Sequence, residues 1–158
     1  MNIVKQYNDF SDEFSSAVQN KLLSRNEFYK IINTLNIVDK KILDVGCGDG
    51  IDLLYYHERK GIVSGCDASE ELIKIAQSRL PENNICVGLF ENLPFKDDEF
   101  DFVFSKYALQ TSIDIHKSIK EMNRVLKKGG ELIFLVVHPI RQFLEKRKGI
   151  KIILNKRM

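Results

Sequence analysis

Cysteine, proline and tryptophan are scarce in this chain, with three, three and none respectively in 158 residues. The cysteines Cys47, Cys66 and Cys86 are odd in number and lie in apolar strand ends or turns, which argues against a disulfide scaffold and for buried, reduced thiols. The three histidines, His57, His116 and His138, are far apart, and no Cys-x-x-Cys or paired histidine has ligand spacing, so no metal site is expected. No window approaches the roughly 18 apolar residues of a membrane span. The opening MNIVKQYNDF lacks a basic stretch followed by an apolar one, so no secretory leader is expected. Together these absences predict a cytoplasmic protein with no membrane partner.

What is present suits one domain with a real core, since 44% of the residues are hydrophobic and 29% charged. The net charge of +2 is unevenly spread. Residues 141–158 hold seven basic side chains (Arg141, Lys146, Arg147, Lys148, Lys151, Lys156 and Arg157) against Glu145. A basic tail attracts nucleic acid or anionic lipid through counterion release. Only Phe143 interleaves those charges as an aromatic, so a solvated face is the expected reading and a nucleic-acid partner is not favoured.

Over residues 1–36, Phe10, Phe14, Val18, Leu22, Leu23, Phe28, Ile31, Ile32 and Leu35 recur at spacings of three and four, which predicts a helical cap or lid. From Lys41 the pattern switches to strands near 41–45, 62–66, 84–88, 100–105 and 131–137, separated by helices near 51–60, 69–80 and 114–127. That alternation predicts an α/β fold, a doubly wound and mainly parallel sheet with helices on both faces. The run from Leu132 to Val137 reads as a strand buried on both sides. Ser69 is placed to cap the second of these helices, with Glu70 and Glu71 in its first turn and Pro81 beyond its end. Lys127, Lys128, Gly129 and Gly130 are expected to close the third. The core then spans 41–138, and 139–158 is a short basic tail of the same domain.

The most informative stretch is Ile42-Leu43-Asp44-Val45-Gly46-Cys47-Gly48-Asp49-Gly50, an apolar strand running into alternate glycines and then a helix. Glycines at this spacing accept positive φ and remove the side chains that would hold a ligand away from the backbone. The amides at the start of the next helix favour negative or electron-rich groups at the same spot. The dinucleotide fingerprint needs a further glycine where Ile51 stands, so it fits less well. Asp67, at the end of the second strand, follows about twenty residues later, where a carboxylate can accept hydrogen bonds from both hydroxyls of a ribose.

Asp44, Gly46, Gly48 and Gly50 are similar, residue by residue, to the first motif of the class I S-adenosylmethionine-dependent methyltransferases of the small-molecule type. Asp67 followed by Ala68-Ser69 resembles the family again, as does Glu91-Asn92-Leu93-Pro94-Phe95 leading to Glu99-Phe100-Asp101. The resemblance runs from about Tyr7 to Pro139 and implies a Rossmann-like fold with S-adenosyl-L-methionine as cofactor. It implies Tyr7, Asp44, Gly46, Cys47, Gly48, Gly50, Asp67, Ala68, Leu89, Phe90 and Ser105 as cofactor-binding positions. Many relatives carry Asp where Leu89 stands, to bind the adenine amino group. Here adenine is left to the Phe90 amide and apolar walls, at a cost of about 0.5–1.5 kcal/mol for one lost hydrogen bond. Tyr107 and His138 are the candidate catalytic residues on the substrate side, and Lys106 either orients a substrate or decorates the surface. Tyr7, Phe10 and Phe14 resemble an aromatic lid and fit ordinary helix packing equally.

Methyl transfer from a sulfonium needs alignment more than covalent help, which agrees with the absence of a triad. The expected function is methyl transfer to a small-molecule acceptor. The alternative is an inactive cofactor-binding module that completes a partner, suggested by Leu89 and by a C-terminus shorter than the seven-stranded family fold, with its last strands missing or reduced. Ile150–Leu154 is expected to cover the edge of the fifth strand, within the chain or across a homodimer.

Overall fold

The computed structural model of the protein describes residues 22–136, with side chains from Arg25 onward. Tyr7, Phe10, Phe14, His138, the basic tail and 150–154 lie outside the described residues. The elements are α1 (Leu22–Ile32), β1 (Lys41–Val45), α2 (Ile51–Glu58), β2 (Ile62–Asp67), α3 (Glu70–Arg79), β3 (Asn84–Val87), β4 (Phe100–Lys106), a 3₁₀ turn (Leu109–Thr111), α4 (Ile115–Val125) and β5 (Leu126–Leu135). The strands form one sheet in the order β3-β2-β1-β4-β5, with every pair parallel. The expected doubly wound α/β architecture is therefore present.

Alternate side chains of each strand feed two cores, because successive residues of a strand point to opposite faces. On one face Ile42, Val63, Ile85, Phe102 and Phe104 pack with Phe28 and Ile32 of α1, Leu53 and Tyr56 of α2, and Ile73 and Ala76 of α3. On the other, Leu43, Val45, Cys66 and Val103 pack with Leu93, Phe95 and the α4 residues Met122 and Val125. Phe28 meets Phe104 edge to face at 6.3 Å, which fastens α1 to the centre of the sheet. Each such fully buried aromatic contributes about 1.5–3 kcal/mol.

Local signals fix the helix ends. The Ser69 hydroxyl accepts the Leu72 amide at 3.3 Å, as its position predicts, and the Asp114 carboxylate accepts that of Lys117 at 3.0 Å. Three expectations are corrected. The Lys127–Gly130 segment does not close α4, which ends at Val125; β5 begins at once with Leu126 paired to Phe100. Pairing then jumps to Phe102↔Glu131, so residues 127–130 bulge from the ladder. The Lys127 ammonium holds the Asp101 carboxylate at 2.9 Å, and Gly129 absorbs the bend at φ 78°. Residues 132–135 are half-buried or exposed, not buried on both sides, because β5 is an edge of the described sheet, and Phe134 is 46% exposed. All three thiols are free, yet Cys86 is only half-buried, since β3 forms the other edge.

Gly50 separates the loop from α2 at φ 78°, and a Cβ added there would lie 2.8 Å from the Cβ of Ala76 on α3. Gly129 has the same φ with nothing within 4 Å of an added Cβ. Gly50→Ala is therefore expected to lose roughly 2–4 kcal/mol of unfolding free energy, from left-handed strain plus overpacking, and Gly129→Ala roughly 1–2 from strain alone. Urea unfolding of the two variants checks this; equal losses would mean that the α2–α3 contact gives way freely.

Candidate functional site

Parallel strands deliver their carboxyl ends to one edge of the sheet, and the chain reverses its winding between β1 and β4, where such folds take ligands. The loop Gly46–Gly50 leaves β1 there, Asp67 and Ala68 end β2, Leu89 and Phe90 follow β3, and Ser105, Lys106 and Tyr107 end β4. The structure thus gathers every described candidate at that one edge.

The loop is left-handed at each glycine, with φ of 78°, 55° and 78° at Gly46, Gly48 and Gly50. Its amides are anchored: Gly46 and Cys47 both donate to the Cys66 carbonyl, at 2.8 and 3.0 Å, and Gly50 donates to the Cys47 carbonyl at 3.1 Å. A second anchor was not visible in the sequence. Arg79, in the last turn of α3, donates to the Asp49 carboxylate at 2.7 Å and to its carbonyl at 2.8 Å. Gly46 also serves packing, since an added Cβ would come within 2.3 Å of the Ala108 Cβ and 3.1 Å of the Phe90 ring. Cys47 is buried in the same loop, and burial pushes its thiol pKa well up, so it stays a neutral packing group.

Asp67 is the hinge of the arrangement. Its Oδ2 accepts the Gly48 amide and its Oδ1 the Ser69 amide, both at 2.9 Å. Beyond these two bonds the carboxylate keeps acceptor capacity for a ligand. Burial raises the Asp67 pKa, and the amides of Ser69, Gly48 and Ala68 pull it back.

The segment after β3 divides its labour. Leu89 is 51% exposed and carries no polar group toward the edge. Phe90 is half-buried against the Leu43 face of the sheet and turns its ring over Gly46. Glu91 has a structural role that its motif did not reveal: its carboxylate accepts the Ser112 hydroxyl and the Ile113 amide at 2.8 Å, and the Asp114 amide at 3.1 Å. Burial raises its pKa, and the hydrogen bonds together outweigh that and hold it below the usual carboxylate range. Leu93 and Phe95 are pinned in turn by Arg124, which donates to their carbonyls at 3.0 and 2.8 Å.

At the end of β4, Ser105 is fully buried. Tyr107 is half-buried at φ 55°, and its backbone amide donates a hydrogen bond to the Leu135 carbonyl at 2.7 Å. A non-glycine residue in that conformation carries backbone strain, which concentrates at functional edges. Lys106 is not surface decoration: its side chain is 8% exposed and ion-paired with Asp52, the second residue of α2. Asp52 also accepts the Tyr29 hydroxyl at 2.6 Å and faces Arg25 Nε at 3.6 Å. No local pattern announces this cluster, because its members come from α1, α2 and β4. Asp44 is buried beside it, and desolvation together with the Asp52 charge pushes its pKa well up, against a smaller opposing pull from Lys106.

Residues 43–134 match the family model described as a methyltransferase domain. Over 125 residues the chain is 37% identical to malonyl-[acyl-carrier protein] O-methyltransferase 1 of Coxiella burnetii, covering 78% of this chain and 40% of that protein. It is 30% identical over 112 residues to the demethylmenaquinone methyltransferase of Paenarthrobacter aurescens, covering 70% and 44%. The chain thus spans less than half the length of these curated relatives. Among solved structures, an S-adenosylmethionine-dependent methyltransferase from Mesorhizobium loti superposes with a TM-score of 0.65 at 28% identity, covering 72% of this chain and 55% of that one.

The buried Asp44 gives a pH prediction. An acid whose folded pKa exceeds its unfolded value of about 4 binds more protons folded than unfolded, so its cost to stability grows as pH rises from about 4 toward the folded pKa. Asp44→Asn removes that cost. The stability of the variant minus that of the ligand-free parent, from urea unfolding at several pH values between about 4 and 7, is expected to increase with pH. A difference flat across that range would contradict the assignment.

Proposed function

Because the chain belongs to the methyltransferase domain family, within the class I S-adenosylmethionine-dependent methyltransferases, we propose that it binds S-adenosyl-L-methionine at the glycine loop and moves the methyl group to a small-molecule acceptor. The observation that carries this reading is the bond from the Gly48 amide to Asp67, which holds three left-handed glycines beside a carboxylate with lone pairs to spare.

The residues suit that cofactor. Asp67 takes the two ribose hydroxyls, and Ala68 leaves room beside it. The backbone from Gly46 through Cys47 and Gly48 to Gly50 lies under the ligand without Cβ atoms at the glycines. Phe90 and Leu89 provide apolar walls for the base, with the Phe90 amide as its polar contact. The buried Asp44 carboxyl suits a cationic amino group, whose charge would draw it back toward the ionised form, and Ser105 borders the same end. When bound, the cofactor supplies an electrophilic methyl group on a sulfonium.

The chain's own residues supply alignment and exclusion of water, each worth several kcal/mol in such displacements. Tyr107, fixed by its strained backbone at the end of β4, orients the acceptor. His138 is the candidate proton acceptor for an acceptor that must lose one, at a position outside the described residues. The relatives are named for different acceptors, malonyl-[acyl-carrier protein] and demethylmenaquinone, so the likeness leaves the acceptor open. Their names are those of enzymes and lend no support to an inactive module.

Calorimetric titration with S-adenosylhomocysteine tests the reading. Saturable binding is expected, weakened about tenfold or more by Asp67→Ala, which removes two charge-assisted acceptors. No heat and no thermal shift would refute it, as would unchanged affinity in the variant. Methyl release from S-adenosylmethionine against carboxylic acids, phenols and thiols then identifies the acceptor.

A further inference from the structure

The segments that follow β3 and β4 meet at the functional edge, and one carboxylate ties them together. Residues Leu89–Asn92 close a tight turn, in which the Asn92 amide donates to the Leu89 carbonyl at 3.1 Å and the two residues pair antiparallel. Just before it, the Gly88 amide donates to the Asp67 carbonyl at 3.0 Å. The two central side chains of the turn part company. Phe90 turns its ring over Gly46, while Glu91 reaches across to the segment after β4. All three of its hydrogen bonds fall on one oxygen, Oε1, which accepts the Ser112 hydroxyl, the Ile113 amide and the Asp114 amide.

That second segment runs from Tyr107 to Asp114, the residue that caps α4. Its start is fixed by the Tyr107 bond to Leu135, by the buried Leu109 and by Ala108, which stands against Gly46 beside the Phe90 ring. Its end lacks such packing. Ile113 is 96% exposed and Asp114 is exposed as well, so burial contributes nothing to holding them in place. The Ser112 hydroxyl also meets the buried Ser118 hydroxyl at 2.7 Å, a contact with α4 alone. Among the described residues, every hydrogen bond between the two turns runs through Glu91. Bonds to a carboxylate are short, strong and directional, so the turns are joined at Gly46 by packing and at Ser112–Asp114 by charge-assisted bonds.

We infer that Glu91 is a positioning residue: by tying the Phe90 turn to the Tyr107–Asp114 turn, it couples occupancy of the base wall to the arrangement of the acceptor side. The coupling rests on the function proposed above, which puts the base at Phe90 and the acceptor at Tyr107. Such coupling is reciprocal, so a clamp that steadies the acceptor turn also steadies the wall that receives the base.

The affinity for S-adenosylhomocysteine is to be measured by calorimetry for the full chain, Glu91→Ala, Glu91→Asp and Glu91→Gln. Amide exchange at Asn92, Ile113 and Asp114 is followed in parallel, with and without the ligand. Glutamine keeps the length and the accepting oxygen without the charge, whereas aspartate keeps the charge and is one methylene short. Binding is expected to weaken about fivefold or more in Glu91→Ala and Glu91→Asp and at most about twofold in Glu91→Gln. In the parent, exchange at Ile113 and Asp114 is expected to slow once the ligand is bound. A clamp that serves the fold alone would lower the unfolding temperature of Glu91→Ala and leave its affinity unchanged, and that result overturns the coupling. So does a parent whose Ile113 and Asp114 amides ignore the bound ligand. Should Glu91→Ala and Glu91→Asp not fold, that response of the parent decides alone. Should S-adenosylhomocysteine not bind the parent, the proposed function fails; faster Asn92 exchange in ligand-free Glu91→Ala then upholds the link between the turns, and unchanged exchange removes it.

Discussion

The Asp67 carboxylate joins the end of β2 to the middle of the glycine loop, and the geometry of the functional edge depends on that junction. One oxygen holds Gly48 and the other Ser69, so a single side chain sets the loop, the start of α3 and its own orientation. The Cys66 carbonyl grips the loop one residue earlier, and Arg79 grips it through Asp49 from the far end of α3. A loop fixed by these bonds before any ligand arrives pays little ordering entropy on binding.

The glycines answer to packing and to ligand access at once. Gly46 gives space to Ala108 and the Phe90 ring, and Gly50 to Ala76, so both would be required even if nothing bound there. Left-handed backbone at the same positions exposes amides and denies the loop its side chains. The two explanations of a glycine-rich turn, tight connection and ligand cradle, therefore describe one object. Family membership and the acceptor capacity left on Asp67 support the cofactor site proposed there.

Much of the fold was legible because its signals are local. Apolar runs located every strand of the described sheet, Ser69 announced the start of α3, and Asp67 was legible as the end of β2. What the sequence concealed is long-range. The start of β5 at Leu126 depends on its pairing with Phe100 and on Lys127 reaching Asp101, so the two glycines that resembled a helix stop instead absorb a bulge. The apolar run of β5 reads as buried on both sides only if a neighbouring strand is assumed. Lys106 passes for surface decoration until α1 and α2 bring Arg25, Tyr29 and Asp52 against it. Glu91 resembles a family signature, and its hydrogen bonds show it organising the turn before α4.

The central claim is that the prearranged loop and Asp67 form the cofactor cradle. Backbone amide resonances recorded during titration with S-adenosylhomocysteine test it most directly. The account predicts that the largest perturbations fall on Gly46, Gly48, Gly50, Ser69 and Phe90, with α4 little changed. Perturbations concentrated elsewhere, or none at saturating ligand, would contradict it.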